Sequence, residues 1–300
     1  MEEQTFGPVR FIPGDNRGRY PFCNSLYIEG AGVLIDPACN RERLIRLREE
    51  TGVKVVWLSH WHEDHFLHLD LFDDIPFWIS AGDAPPLADL SLLLDWYGVS
   101  AEERCFWEPL LIDQFHFRPR YPARNLIGGE TIAMGSVTVD VIATPGHTPG
   151  HLAFFFREAA VLYTGDYDLT PFGPWYGDRF SDIDSTRSSI LRLRTVPAQV
   201  VLTGHESGVF ARPPAVLWDR YASVIAERET KLLSVLEQPR SLEEIVDACI
   251  IYGRQREPKA FFAFGERAHM LKHLLHLENR GIVVREEGRY RKTMFTPPRG

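Results

Sequence analysis

The stretch His60-Trp61-His62-Glu63-Asp64-His65 is the most informative part of this 300-residue sequence. It places three imidazoles and the Asp64 carboxylate within six residues, and these side chains are common ligands of zinc, iron and manganese. The mostly apolar run just before it, residues 53–58, predicts a buried strand. Because open α/β sheets carry their chemistry on loops at strand ends, we predict a metal site at the end of this strand.

The spacing within this stretch suits two neighbouring ions. In an extended turn, His60 and His62 lie two positions apart and point the same way. Asp64 and His65 are adjacent and point in different directions. One short run can therefore supply ligands to two metals.

Further candidate ligands occur at turns and strand ends later in the chain. His147 lies in a Pro-Gly turn that begins at Pro145, a pattern typical of type II turns. Asp166 and His205 each follow a Thr-Gly pair at the end of a predicted buried strand. We therefore predict that these three residues converge on the first stretch.

Composition and charge restrict the class of protein. The apolar content of 44% is sufficient for a packed core, and 25% charged residues is usual for a soluble protein. The net charge of −8 is uneven: from residue 207 onward there are 16 Lys+Arg and 12 Asp+Glu, whereas the remainder has 17 and 29. An acidic body argues against general nucleic-acid binding, which depends on attraction to phosphates. A small-molecule substrate is the partner we expect.

The sequence also bears on location. The first residues are acidic and lack the apolar region of a signal peptide. No run approaches the roughly 18 apolar residues of a membrane span. The four cysteines are widely separated and form no CxxC pair, as expected of reduced thiols. We expect a cytoplasmic protein without a membrane partner.

Strand and helix patterns alternate up to residue 212, which predicts an α/β fold. The composition changes there, so we predict two domains, residues 1–212 and 213–300. The patterns after residue 212 predict three helices: one at 215–236, a second that begins at a capping box at Ser241, and a third at 265–280. Strands are predicted to follow at 282–284 and 290–294. Three helices followed by a hairpin resemble a winged-helix module. We expect this module to serve dimerisation, and the net charge of +4 from residue 207 onward leaves nucleic-acid binding open as an alternative.

The ordered set His60-x-His62-x-Asp64-His65, His147, Asp166 and His205 resembles the metallo-β-lactamase fold superfamily over about residues 20–210. The resemblance implies an α/β fold of the αββα sandwich type and a centre of two divalent metals. Zinc is the metal we expect, and the same ligands accept iron or manganese. The ligands implied are His60, His62 and His147 for the first metal, Asp64, His65 and His205 for the second, and Asp166 between them.

The resemblance implies a hydroxide shared by the two metals as nucleophile. Asp64, the candidate catalytic residue, would orient it and then protonate the leaving group. The function that we expect is a metal-dependent hydrolase of an ester, thioester or lactone-like small molecule. Three alternatives stay open: a phosphodiesterase or ribonuclease whose C-terminal domain guides nucleic acid, a non-catalytic or dimerising module, and a mononuclear-iron oxygenase of the same fold.

Other residues are candidates for supporting roles. The aromatic, Gly/Pro-rich loop at residues 172–178 follows a metal ligand and is predicted to form a pocket wall. Glu63, between two ligands, is predicted to face outward. The candidate substrate contacts are Trp175, Tyr176, His68 and Arg118, and the residues expected to hydrogen-bond to ligands are His151 and Asp36.

Overall fold

The computed structural model describes residues 2–213 and 215–293. Two sheets lie at the centre of this part of the chain, and in each the strands are ordered as in the sequence. The first sheet contains β1 (Gln4–Phe6), β2 (Val9–Ile12), β3 (Ser25–Ile28), β4 (Val33–Ile35), β5 (Val55–Trp57), β6 (Phe77–Ser80) and β7 (Arg124–Leu126). The second contains β8 (Thr131–Met134), β9 (Val137–Ala143), β10 (Leu152–Phe156), β11 (Val161–Tyr163), β12 (Val200–Leu202) and β13 (Val209–Ala211).

Each sheet combines both strand orientations. Strands β1 to β4 pair antiparallel and β4 to β7 pair parallel. In the second sheet only β11 and β12 are parallel among the described strands. The Gly30-Ala31-Gly32 stretch predicts a hairpin turn, and the hairpin is present between β3 and β4. Gly30 and Gly32 adopt φ of 76° and 70° in its turn.

Helices cover the outer faces of the two sheets. The helices are α1 (Asp15–Gly18), α2 (Arg41–Thr51), α3 (Glu63–Phe66), α4 (Pro85–Ala88), α5 (Leu90–Tyr97), α6 (Arg104–Asp113), α7 (Ile183–Arg194), α8 (Ala215–Val235), α9 (Leu242–Asp247) and α10 (Lys259–Asn279), with a 3₁₀ turn at Leu69–Phe72. Helices α2, α5 and α6 pack on the first sheet, and α7 and α8 pack on the second. The αββα sandwich is confirmed.

Side chains that point alternately to the two faces of each strand divide the hydrophobic core into layers. In β5 the side chain of Trp57 lies between the sheets, where its ring is 5.3 Å from that of Phe154. The neighbouring Val56 and Leu58 face the opposite way and pack against helices. Because successive strand residues point to opposite faces, an apolar run is buried on both sides here.

Apolar residues at helical spacing predict helices at 88–97 and 101–115, and both predictions differ from the observed helices for local reasons. The pattern at 88–97 is interrupted at Asp89, whose carboxylate accepts from the backbone N–H of Leu92 at 2.9 Å and caps α5. The helix predicted at 101–115 covers only Arg104–Asp113. His116, at φ 53°, turns the chain away from the helical path.

The C-terminal elements occur in the predicted order, with a hairpin of β14 (Val283–Glu286) and β15 (Arg289–Lys292) after α10. The capping box at Ser241 and Glu244 is confirmed. Met294, at the end of the predicted last strand, lies outside the described residues. A winged-helix identity and a domain boundary at residue 212 stay predictions.

Helix α8 connects two hydrophobic cores. Its first half places Trp218 and Tyr221 against the second sheet. Its second half places Leu232 in a C-terminal core together with residues of α9, α10 and the hairpin. From α10, Phe264 packs into the helical layer on the first sheet. The C-terminal elements are therefore packed on the sandwich.

No helix within residues 2–213 and 215–293 has the length and hydropathy needed to cross a bilayer. All four cysteines are unpaired.

Candidate metal centre

Strand ends and tight turns deliver the candidate ligands to one edge of the sandwich. The chain leaves β5 and reaches His60 and His62 before α3 begins at Glu63, so that Asp64 and His65 lie in the first turn of this short helix. Asp166 follows β11 and His205 follows β12, its parallel neighbour. Because the carboxyl ends of parallel strands meet at the same edge, these two ligands arrive together.

Glycine is required beside two of the ligands. Gly146, at φ 125°, precedes His147, and a Cβ there would lie 2.3 Å from the backbone nitrogen of Thr186. A Cβ at Gly204 would lie 2.9 Å from Asp166 Oδ1. At both positions the neighbouring atoms approach the backbone more closely than a residue with a Cβ would permit.

The first cluster joins three histidine nitrogens. His60 Nε2 lies 3.0 Å from His62 Nδ1 and 3.1 Å from His147 Nε2. His147 Nε2 lies 2.9 Å from His62 Nδ1. The Oδ2 atom of Asp166 is 3.3 Å from His147 Nε2 and 3.8 Å from His60 Nε2.

The second cluster surrounds Oδ1, the other oxygen of the Asp166 carboxylate. Asp166 Oδ1 is 2.7 Å from His65 Nε2 and 3.4 Å from His205 Nε2. His205 Nε2 is 3.4 Å from Asp64 Oδ2. The seven predicted ligand side chains are thus brought together, with Asp166 between two groups of three.

The donor atoms fit divalent metals. Nitrogens bound at 2.0–2.1 Å to a tetrahedral ion are about 3.3 Å apart, close to the separations found in both clusters. Asp166 Oδ1 is buried and no hydrogen bond is directed at it, although the ring nitrogens of His65 and His205 lie within 3.4 Å and buried carboxylate oxygens are normally hydrogen-bonded. Imidazole and carboxylate together suit zinc, iron or manganese. The residues present therefore fit a metal pair.

Electrostatics also favour ligation by His60 and His147. Burial lowers the pKa of His147 to about 4, and burial together with the nearby His65 lowers that of His60 well below its ordinary value. Neutral imidazoles have a free lone pair for a metal. Burial acts to raise the pKa of Asp166, but the surrounding histidines hold it well below its usual value.

Asp36 orients the second cluster, as expected of a residue that hydrogen-bonds to a ligand. His65 Nδ1 donates to Asp36 Oδ2 at 2.9 Å. The same carboxylate accepts from the backbone and hydroxyl of Ser59 and from the hydroxyl of Tyr163, each at 2.7 Å. Ser59 Oγ in turn lies 2.9 Å from His60 Nδ1. A single buried carboxylate thereby fixes His65 directly and His60 through a serine.

His151 lies beside the two clusters, but neither of its ring nitrogens is free to bind a metal. Its Nε2 accepts from the backbone N–H of Asp166 at 3.2 Å, and its Nδ1 lies 2.7 Å from Thr144 Oγ1. Both ring nitrogens are engaged, which matches the predicted supporting role.

Asp178 contacts a candidate metal ligand, and the sequence did not indicate this contact. Its Oδ2 lies 2.7 Å from His62 Nε2, and its Oδ1 accepts from the indole N–H of Trp175 at 3.1 Å. Burial acts to lower the pKa of His62, but the Asp178 carboxylate outweighs it and raises this pKa to about 9. The loop was predicted to be a wall, yet nothing in the sequence marked this carboxylate.

The sequence also gives no indication that Asp168 contacts a candidate ligand. Its Oδ1 accepts from the backbone N–H of His205 at 2.9 Å, beside the second cluster. Its position two residues after the candidate ligand Asp166 is the only sequence feature that could have indicated this contact. Carboxylates are too common at such positions for this feature to identify a functional residue.

A cavity of about 310 Å³ opens onto both clusters. His62, Asp64, His147, Asp166 and His205 face it. Its aromatic lining includes Trp107, Phe172, Trp175, Tyr252, Phe261 and Phe264. The last three come from the C-terminal segment, so both parts of the chain build the cavity.

The candidate substrate contacts are only partly placed at this cavity. Trp175 lines it, whereas Tyr176, His68 and Arg118 are not among the lining residues. Tyr176 is fully buried and its hydroxyl lies 2.9 Å from His273 Nε2. Arg118 forms an ion pair with Asp73 at 2.5 Å. These two side chains are occupied by partners within the protein.

His68 is buried away from the cavity lining, near Asp70 and His116. Arg41 takes both oxygens of Asp70, at 2.9 and 2.6 Å, which leaves that carboxylate engaged.

The outward orientation predicted for Glu63 is wrong. Glu63 is buried, lines the cavity and accepts from the hydroxyls of Tyr20, at 2.8 Å, and Tyr97. The first turn of α3 follows His62 directly, and this turn directs Glu63 inward beside Asp64.

Comparison with known proteins agrees with this geometry. Residues 19–205 match the family model of the metallo-beta-lactamase superfamily. This protein belongs to the metallo-beta-lactamase superfamily.

Similar structures extend the fold beyond the matched domain. A metallo-beta-lactamase family protein from Thermus thermophilus aligns over 95% of this chain and 99% of its own, with 24% identity and a TM-score of 0.71. A beta-lactamase domain protein from Burkholderia ambifaria aligns over 97% and 94%, with 21% identity and a TM-score of 0.69. These likenesses concern the fold, and they include the C-terminal elements.

Similar sequences include hydrolases of thioesters. The hydroxyacylglutathione hydrolase of Rhodospirillum rubrum is 39% identical over 85 residues, which span 28% of this chain and 32% of that enzyme. The atrochrysone carboxyl ACP thioesterase of Pseudocercospora fijiensis is 24% identical over 85% of this chain and 70% of that enzyme. The probable polyketide biosynthesis zinc-dependent hydrolase of Bacillus velezensis is 29% identical over 59% and 68%.

Proposed function

We propose that this protein is a binuclear metal-dependent hydrolase of small-molecule esters, with thioesters of apolar acyl groups as the preferred class. The observation that carries the proposal is the opening of the two histidine–carboxylate clusters into a cavity whose wall is mostly apolar and rich in aromatic side chains. Binding pockets combine apolar walls with a few polar groups that fix orientation, and here those groups are the clusters themselves. Two of the similar proteins are a thioesterase and a hydroxyacylglutathione hydrolase, which supports the same class.

The ligand sets follow from the two clusters. His60, His62 and His147 would hold one ion, and the second cluster would hold the other, with Asp166 between them. When bound, such ions lower the pKa of water and polarise the substrate carbonyl.

Asp64 is suited to proton transfer. Its Oδ2 faces His205 at 3.4 Å, which leaves Oδ1 to orient the attacking water and to pass a proton to the departing thiol or alcohol. Asp64 also lines the cavity, so its carboxylate borders the space that the substrate would enter.

The cavity lining argues against a phosphodiester substrate. Among the described lining residues Arg19 is the only Lys or Arg, and it lies 3.7 Å from Glu206 at the same cavity. Four further carboxylates line it: Glu63, Asp64, Asp166 and Asp168. Nucleic-acid sites need phosphate-neutralising cations, and this surface supplies few.

The test couples metal quantification to a substrate panel. The purified protein is expected to bind two divalent ions per chain and to hydrolyse acyl thioesters after reconstitution with Zn²⁺ or Mn²⁺. Bis-p-nitrophenyl phosphate serves as the competing substrate. Faster turnover of the phosphodiester than of any thioester, ester or lactone would contradict the proposal, as would a single bound iron without zinc.

A further inference from the structure

Arg228, in the middle of α8, is a buried cation whose partners are mostly main-chain carbonyls. It is only 2% exposed, and the described residues provide it with no carboxylate within ion-pair distance. One terminal nitrogen donates to the carbonyl of Pro174 at 2.7 Å and to the Tyr176 hydroxyl at 3.0 Å. The other donates to the carbonyl of Phe172 at 2.7 Å. All three acceptors belong to the cavity wall, residues 172–178.

Aromatic contacts reinforce this arrangement. The guanidinium carbon lies 5.0 Å from the ring centre of Phe172 and 5.4 Å from that of Tyr176. The Tyr176 hydroxyl accepts from Arg228 and lies 2.9 Å from His273 Nε2 on α10. A planar guanidinium has donors in a fixed fork, so these bonds hold the wall in one conformation.

The wall in turn contacts two metal ligands. His147 Nδ1 donates to the carbonyl of Trp175 at 3.1 Å. The indole of Trp175 donates to Asp178, which holds His62 through Nε2. These bonds direct the opposite nitrogens of His62 and His147 toward the first cluster.

The second cluster is oriented by other parts of the chain. His65 is held by Asp36, and His205 Nδ1 lies 2.9 Å from the carbonyl of Gly18. Neither contact involves residues 172–178 or the C-terminal helices. The two clusters share Asp36, which reaches His60 through Ser59. Among the described residues, the contacts made by residues 172–178 hold ligands of the first cluster, His62 and His147.

We propose that Arg228 is a positioning residue for the first cluster: by fixing the 172–178 wall, it supports metal affinity at His60, His62 and His147 and leaves the second cluster unaffected. The C-terminal segment is then part of the metal centre's support as well as of the cavity lining. This inference rests on the two-ion centre proposed above.

The test is Arg228→Lys, which keeps the charge but loses the fork that reaches several acceptors. The variant is made in two backgrounds, His205→Ala, which leaves the first cluster intact, and His60→Ala, which leaves the second. Zn²⁺ affinity is measured by chelator competition, and the visible spectrum of the Co²⁺ form reports ligand geometry. Arg220→Lys, an exposed arginine on the same helix, is the matched control.

In the His205→Ala background we expect a loss of about 10- to 100-fold in Zn²⁺ affinity and an altered Co²⁺ spectrum, the range usual for residues that orient a ligand. In the His60→Ala background, and in the control, affinity should change less than about 2-fold. Unchanged affinity in the first background, or equal losses in both, would overturn the inference.

Two further results separate this inference from other failures. A wild-type protein that binds fewer than two ions would contradict the proposed function itself. If thermal melting shows that Arg228→Lys does not fold, Trp175→Phe provides the test, because it removes the indole donor to Asp178 and leaves Arg228 in place. Its loss of affinity should be confined to the first cluster, and equal affinity to wild type would refute the proposal.

Discussion

Asp178 lies 2.7 Å from Nε2 of His62 although 116 residues separate them in the chain. Its second oxygen accepts from Trp175, so one carboxylate connects the cavity wall to a ligand of the first cluster. The contact fixes which nitrogen of His62 carries the proton and thereby frees Nδ1 for the centre. Metal binding and the shape of the cavity are therefore coupled through a single side chain.

Replacement of Asp178 should weaken the first metal site in a graded way. Asp178→Ala removes the acceptor, and we expect a loss of about 10- to 100-fold in Zn²⁺ affinity. Asp178→Asn retains a neutral acceptor and should lose less. Chelator competition measures both, with Asp184→Asn, an exposed residue on α7, as control. Equal affinity in Asp178→Ala and wild type would show that the contact does not orient the ligand.

Metal removal should abolish activity, and single ligand replacements should remove one ion each. EDTA is expected to stop thioester hydrolysis, and Zn²⁺ or Mn²⁺ should restore it. His60→Ala and His205→Ala disrupt different clusters, so elemental analysis should find about one ion in each instead of two. His276→Ala on α10 is the control and should retain both. Loss of both ions in each variant would point to a single cooperative site.

Acyl-chain length should control catalytic efficiency through the aromatic cavity. Each added methylene that enters it contributes about 0.8 kcal/mol, which corresponds to about a four-fold rise in kcat/KM until the cavity is full. Phe261→Ala shortens the wall and should lower kcat/KM for the best substrate by about 5- to 30-fold, mainly through KM. Phe106→Ala, exposed and outside the cavity lining, is the matched control. A flat dependence on chain length would exclude an acyl pocket.

Acid should destabilise the protein through His273. Burial lowers its pKa to about 3, and the neighbouring charge of Arg228 acts in the same direction. Because the folded-state pKa lies below the unfolded value near 6.5, the unfolded chain takes up the proton first as the pH falls. The stabilising contribution is complete above pH 6.5 and decreases toward pH 3.

Urea unfolding at pH 6.5 and pH 5 measures this contribution. Between these values, wild type should lose about 2 kcal/mol more unfolding free energy than His273→Gln, which cannot titrate there. The other histidines are common to both proteins, so the difference isolates one residue. Parallel pH profiles for the two proteins would show that His273 is not held neutral.

The side chains that form the two clusters were predictable because candidate ligands are recognised by residue type and local spacing. His60 and His62 are two positions apart on an extended turn, and Asp166 and His205 follow short buried strands. The structure keeps these short-range relationships as the sequence predicts them. The orientation of Glu63 was not predictable, since it depends on where Tyr20 and Tyr97 place their hydroxyls.

The residues that line the cavity were the least predictable part of the site. Trp175 and Tyr176 are neighbours in an aromatic loop, yet only Trp175 lines the cavity. The position of Tyr176 is decided by Arg228 and His273, which come from helices more than 50 residues away. Nothing in the loop itself distinguishes the two rings.

The sequence by itself determined the αββα layers and the metal-binding side chains, because periodic burial and ligand spacing act over a few residues. Tertiary structure alone decided which carboxylates orient those ligands and which aromatic rings line the cavity. Hydrogen bonds such as Asp178 to His62, and the packing of α10 against the sandwich, join segments far apart in the chain, and no local pattern encodes their meeting.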